Sequence, residues 1–251
     1  MNTEHFQQIE SYIPVDLLLP INFVIAILVV LFFISVRYFS LVGLAYLIFW
    51  KKSIRLIPIE GKVLHDKKLP LGQIRNEIKW SVISSLIFSF FGVLLGLLWQ
   101  TGLSQIYTKF NDYPMWYIPV SLIIYTLIHE IYFYFTHVWM HKPGIYKSVH
   151  AIHHLSVKTS PWASFSFHPW EAIVHAAFLP IVSLLIPIHP LVIIFYLTFM
   201  TLTAISNHLG VELIPFSFIK KIFISGEHHS LHHKKMRVNY GLYYTFMDRL
   251  M

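Results

Sequence analysis

Long apolar runs constrain this chain more than anything else in it. Leu17 to Trp50 is nearly all apolar, broken by Arg37, and further runs cover Ile78–Gln100, Met115–Thr136, Ala172–Pro187 and His189–Ser206. At about 1.5 Å of rise per residue, some 20 helical residues cross a hydrocarbon core of about 30 Å. Only 12% of the residues are charged, about half the usual share in soluble domains, and the mean hydropathy is +0.60. These values describe an integral membrane protein. The expected fold is all-α, with about four to five transmembrane or hairpin helices and a cytoplasmic His-rich cap that holds two metals. Residues 1–251 are expected to form one membrane domain: 1–128 mainly anchor and cytoplasmic loop, 129–251 the catalytic region.

Charge sets the orientation. The net charge of +7 suggests nucleic acid only superficially, because the basic residues flank apolar spans as membrane topology requires; no nucleic-acid partner is expected. Lys51–Lys79 holds eight of the 19 Lys and Arg residues, Thr101–Pro114 holds one Lys and no Arg, and the chain after Asn207 is basic again. The positive-inside rule then puts the N-terminus outside and both His-rich segments on the cytoplasmic face; a bacterial inner membrane is expected rather than the endoplasmic reticulum. The first span is expected over Leu18–Tyr38, with Phe39–Trp50 running on along the interface. Met1–Asp16 is acidic and polar and lacks the basic start of a signal peptide. There is no cysteine, which excludes disulfides, thiolate zinc and Cys-ligated iron–sulfur clusters. No Gly-x-Gly occurs either, so there is no dinucleotide fingerprint.

Histidine carries the chemistry. Of 16 histidines, 14 lie after residue 128. On a helix, residues three and four apart share a face, which makes neighbours of His137 and His141 and clusters both His150, His153, His154 and His229, His232, His233. Packing gives no reason for HxxHH to occur twice, whereas imidazole is the commonest protein metal ligand. With His208 these nine are the candidate ligands, and His228 and His168 are weaker candidates. One octahedral ion cannot use so many; two ions can, each taking four or five. His129, His175 and His189 are expected to be structural or supporting. Glu130, seven residues before His137, shares its stripe and is expected to accept a hydrogen bond from a ligand imidazole. Imidazole alone leaves zinc, copper, nickel and iron open. A site at a bilayer surface can reach unactivated C–H bonds of lipids, which tilts the choice to iron. The aromatic residues Tyr132, Phe133, Tyr134, Phe135, Trp139, Trp162 and Trp170 could line a lipid entry or anchor the interface.

The ordered segments HEIYFYFTHVWMH, KSVHAIHH, SPWASFSFHPWEA, SNHLG, EHHSLHH and NYGLYYTFMDRLM resemble the fatty acid hydroxylase / sterol desaturase superfamily of membrane di-iron oxygenases. The family's HxxxH matches His137/His141, its first HxxHH matches His150/His153/His154, its Asn-His matches His208, and its final HHxxHH matches His228 to His233. Its acidic residue before the first motif falls on Glu130. Val138 and Ser230 depart from the Arg and Asp that many relatives carry. The resemblance implies two iron ions, O2 as co-substrate, and hydroxylation or desaturation of a lipid, with hydroxylation the first expectation. Electrons would come from a separate ferredoxin- or cytochrome b5-type donor with its reductase. A zinc-dependent membrane hydrolase and a non-catalytic metal- or lipid-binding protein are the alternatives.

Overall fold

The computed structural model describes residues 9, 12–51, 62–66 and 68–251. Most of Met1–Asp16, including His5, and much of the Lys51–Lys79 loop lie outside the described residues. Among the described residues, four helices are long and apolar enough to cross a membrane. In lipid every backbone N–H and C=O must be paired within the segment, which a helix does by itself.

Helix α1 (Pro20–Ala45) opens with proline at its first position, where a missing N–H costs nothing. It runs without a break into a π-helical turn, Tyr46–Trp50, to give one span of 31 residues. That is about 46 Å at helical rise, longer than the hydrocarbon core. Phe39–Trp50 therefore does not leave the helix to lie along the interface, as expected above. Instead its turns pack on the His-rich end of the molecule: the Tyr38 hydroxyl donates to the Trp162 carbonyl (2.8 Å), and Trp50 Nε1–H donates to the Leu209 carbonyl (2.8 Å). The stacked rings of Tyr46 and Trp50 and the nearby Trp162 give this end of α1 an apolar partner that an interface would not.

Helices α2 (Gln73–Gln100) and α3 (Tyr117–Met140) follow. Helix α3 ends later than the apolar run predicts, so His137 sits in its last turn and His141 caps its C-terminus. A four-residue helix α4 (Tyr146–Val149) and 3-10 turns at His153–Leu155 and Pro161–Phe165 lead into helix α5 (Pro169–Ser183), which with α6 (Pro190–His208) makes the expected hairpin. Helix α5 has 15 residues, about 22 Å, and α6 has 19.

The hairpin tip is tied to the end of the bundle opposite the histidines. The Gln105 N–H donates to the Ser183 carbonyl and the Tyr107 N–H to the Ile188 carbonyl, while the Tyr117 and Tyr125 hydroxyls donate to the Pro187 and Ile186 carbonyls. These bonds pair backbone groups that would otherwise be stranded at a tight turn. Between the helices, Trp99, Tyr125, Phe178, Ile188 and Tyr196 form the larger apolar cluster, and Tyr38, Val42, Phe165 and Ile205 a smaller one beside the cap. The cap is completed by a two-residue antiparallel pair, β1 (Lys62–Val63) with β2 (Val211–Glu212), and helices α7 (Ser217–Lys220), α8 (Gly226–Lys235) and α9 (Phe246–Leu250).

Candidate metal centre

Four pieces of chain converge on the cap. The end of α3 delivers His137 and His141, the α4 segment His150, His153 and His154, the last residue of α6 His208, and α8 His229, His232 and His233. Helix α8 is held in place at its start by Ser225, whose hydroxyl accepts the His228 N–H, one of the amides that a helix N-terminus leaves unpaired.

The nine imidazoles divide into two groups that could each hold a metal ion: His137, His141, His150, His154 and His232 in one, and His153, His208, His229 and His233 in the other. In the first, Nε2–Nε2 separations are 3.0 Å (His137–His150), 3.1 Å (His150–His154), 3.1 Å (His154–His232) and 3.2 Å (His232–His141). In the second they are 3.2 Å (His153–His208), 3.1 Å (His208–His229) and 3.1 Å (His229–His233). Neither HxxHH element serves a single site. His150 and His154 turn to the five-membered group and His153 to the other, while His229 and His233 join the four-membered group and His232 the first. Positions i and i+4 of a helix lie about 40° apart, whereas i+3 falls about 60° to the other side. Each element therefore straddles both groups, and the first does so from turn and 3-10 backbone rather than an α-helix.

The other ring nitrogens decide the protonation state. Nδ1 of His137 faces the Tyr240 carbonyl (2.9 Å), of His150 the Glu171 carboxylate (2.7 Å), and of His232 the Val238 carbonyl (2.7 Å). Nδ1 of His153 and His208 face the carbonyls of Ser166 (3.3 Å) and Ala204 (2.7 Å). The four carbonyls only accept, so the Nδ1 facing each carries the proton and its Nε2 is a bare lone pair. Burial raises the Glu171 carboxyl well above its ordinary range, and in its ionised form it accepts from His150 in the same way. His137 with His150, and His153 with His208, then oppose lone pair to lone pair at 3.0 and 3.2 Å. Such pairs cannot hydrogen-bond; a cation between them turns the repulsion into ligation. Protonation is no escape, because burial holds His150, His153, His154, His229 and His233 well below the ordinary imidazole range. Burial also lowers His141 to about 3 and His232 to about 4. The donor set fits metal.

The residue doing what was expected of Glu130 is Glu171, which the sequence reading passed over. It lies in the first turn of α5, fully buried, and its Oε1 accepts from His150 Nδ1–H and stands 3.6 Å from His175 Nε2. Its one sequence signal is an acid at the head of an apolar hairpin, three residues after His168. Glu130 makes no such contact. Its carboxylate accepts the backbone N–H groups of Leu242, Tyr243 and Tyr244, and so reaches the metal groups only through this strap, whose Tyr240 carbonyl orients His137. Gly241 is required there: a Cβ would sit 2.8 Å from the Tyr244 carbonyl and 2.9 Å from both Asp248 Oδ2 and Glu130 Oε1.

His228 and His168 stand outside both groups. His228 Nε2 is 2.8 Å from Asp248 Oδ2, about a quarter-turn round α8 from its ligand-facing neighbours. His168 caps α5, its Nδ1 accepting the Trp170 N–H. His129 lies between the hydroxyls of Tyr243 and Tyr196, and His189 caps α6. Of the aromatic residues, Phe135, Trp139 and Trp170 face outward as interface anchors would, whereas Phe133 packs against His137 and His175.

The fatty acid hydroxylase family model matches residues 122–251, which contain all nine imidazoles and both supporting carboxylates. The chain belongs to the fatty acid hydroxylase family. Among curated proteins it is similar to a Delta(7)-sterol 5(6)-desaturase of Gibberella zeae, with 29% identity over 75% of this chain and 58% of that protein. It is also similar to lathosterol oxidase of Homo sapiens (30% identity; 71% of this chain, 60% of that protein). A Delta(7)-sterol 5(6)-desaturase of Aspergillus fumigatus matches at 30% identity, over 73% of this chain and 63% of that protein. The chain thus spans about 58–63% of the length of these relatives. No solved structure matches it. Family membership, the membrane helices and the histidine groups agree in describing an integral membrane protein related to lipid-oxidising enzymes.

Proposed function

We propose that this chain is a membrane-bound di-iron oxidoreductase that uses O2 and externally supplied electrons to hydroxylate or desaturate a lipid. The observation that carries the reading is the pairing of a five- and a four-imidazole group whose neighbouring Nε2 atoms face one another at 3.0–3.2 Å. Tetrahedral zinc takes four ligands; the fifth imidazole of the first group supports a larger coordination number, which iron accepts.

His137, His141, His150, His154 and His232 would hold one ion and His153, His208, His229 and His233 the other. Bound iron would supply the one-electron and dioxygen chemistry that an unactivated C–H bond demands. The protein's own residues do the rest. The Nδ1–H tethers fix five imidazoles as neutral donors, Glu171 strengthens His150 as a ligand, and the aromatic walls of Phe133 and Phe167 exclude water. The names of the relatives support hydrogen removal and that of the family supports oxygen insertion; both begin at the same C–H bond. Basic segments on one side of the spans, Lys51–Lys79 and the chain after Asn207, against a single Lys in Thr101–Pro114, support a cytoplasmic His-rich face; the proposed membrane is the bacterial inner membrane. The electron donor is a separate protein, ferredoxin- or cytochrome b5-type, and residues 129–251 are the catalytic region of one membrane domain.

Elemental analysis of the purified full chain tests this reading against a zinc hydrolase. Two irons per chain, with lipid-dependent O2 consumption, are expected. Stoichiometric zinc with lipid turnover in the absence of O2 would overturn it.

A further inference from the structure

Arg37 interrupts the first apolar run, and the proposed reaction gives it no task. Glu130 is taken up by the 242–244 amides, and no ion pair of Arg37 occurs among the described residues. Arg37 lines a cleft of about 160 Å³ between α1, α2, α5 and α6, with Phe88, Phe165, His175, Phe178 and Tyr196. Arg37 Nε is buried there without a hydrogen-bond partner, and so is His175 Nδ1. A second apolar cleft, about 590 Å³, shares Val30, Gly92 and Leu95 with the first and continues to Trp99 and Tyr12 at the opposite end of the bundle. The two adjoin at that wall, where Val30 packs on Gly92, and form an apolar track in two sections with a cation at the end nearer the metal groups. His175, on the same wall, is 3.6 Å from the carboxylate that holds His150.

An arginine in an apolar membrane setting is costly unless it meets a partner, and its planar fork matches carboxylate and phosphate oxygens. We propose that this track binds a lipid by an anionic oxygen group, a carboxylate or phosphate paired with Arg37, with the acyl chain running along Leu95 toward Trp99. The inference rests on the proposed lipid oxidation and names the substrate class of that site. It also sets a regiochemical bias: the carbons near the acidic end lie nearest the imidazoles, and the chain terminus lies farthest.

The test is equilibrium binding of radiolabelled oleate to the iron-loaded full chain in phosphatidylcholine nanodiscs, with oleate, methyl oleate, dioleoylphosphatidate and cholesterol as competitors. Wild type is expected to prefer oleate or phosphatidate over methyl oleate and cholesterol by at least about tenfold, and whichever anion competes better identifies the source of the acidic group. Arg37→Gln is expected to lose that preference with iron content unchanged, and Arg37→Lys to keep part of it. Equal wild-type affinity for oleate and methyl oleate, cholesterol binding as tightly as both anions, or a preference that survives Arg37→Gln would overturn the proposal. If Arg37→Gln does not fold, the wild-type ratio alone decides. Binding needs neither O2 nor electrons, so a negative result here leaves the oxidation reading standing.

Discussion

Glu171 offers the sharpest test of how the centre is built. Its Oε1 accepts the His150 Nδ1–H at 2.7 Å with both side chains buried. Burial raises the carboxyl well above its ordinary range, so the charge-assisted value of about 1.5–3 kcal/mol belongs to the ionised form, which a bound cation favours. Glu171→Gln keeps the shape and an acceptor oxygen but removes the charge, so about half of that is lost, roughly tenfold in affinity. Glu171→Ala leaves the Nδ1–H with no acceptor and opens space beside it, which should approach a hundredfold. Only the five-imidazole group should respond, because Glu171 contacts no member of the other. Anaerobic titration with ferrous iron against a chelator of known affinity resolves the two sites. The expected result is one weakened step and one unchanged step, graded from Gln to Ala. Parallel weakening of both steps would make Glu171 a general scaffold residue, and no change in either would refute the tethering argument.

Three further outcomes follow. His153→Ala and His232→Ala each remove a ligand from a different group, so each should abolish turnover while membrane insertion, followed by protease protection, persists; turnover retained in either variant contradicts a shared site. Gly241→Ala forces a Cβ against a carbonyl and two carboxylates and should cost about 1–3 kcal/mol, seen as a lower thermal midpoint; an unchanged midpoint would mean that the strap is free to move. The third concerns pH. His141 and His232, lowered to about 3 and about 4, are neutral when folded but take a proton near pH 6.5 when unfolded. The unfolded chain then binds more protons, so the stability of the metal-free protein is full above about pH 6.5. It falls by up to about 1.4 kcal/mol per pH unit per imidazole as pH drops below that value. Thermal melts of chelator-treated protein from pH 8 to pH 5 check the sign, and a midpoint that rises on acidification contradicts it.

The helices were legible because a membrane leaves little choice: apolar runs of this length must pair their own backbone, and α2, α3 and α6 lie where Ile78–Gln100, Met115–Thr136 and His189–Ser206 predict. The end of α1 was not legible, since the partners of Trp50 and Tyr38 lie 159 and 124 residues away. All nine histidines were readable as a set, because packing gives no reason for so many at such spacing, and the structure gathers them into two groups. Their division was not, because shared helical faces suggest that each HxxHH stays together, whereas the i+3 residue of each points across to the other group. The supporting carboxylates were misread for a similar reason. Glu130 sits on the right stripe of α3 but about 10 Å up the helix from His137, at the level of the C-terminal strap. Glu171 is 21 residues from His150 in sequence and meets it only once the hairpin has folded back.

Lipid mass spectrometry under isotopically labelled O2 decides whether a lipid C–H bond is oxidised at the paired histidine groups. Cells expressing the wild-type chain are compared with cells expressing His153→Ala. A lipid that gains one labelled oxygen, or loses two hydrogens without label, in wild type alone is the predicted result, and it separates hydroxylase from desaturase. Identical lipid profiles in the two strains, with the chain iron-loaded and a donor supplied, would contradict the account.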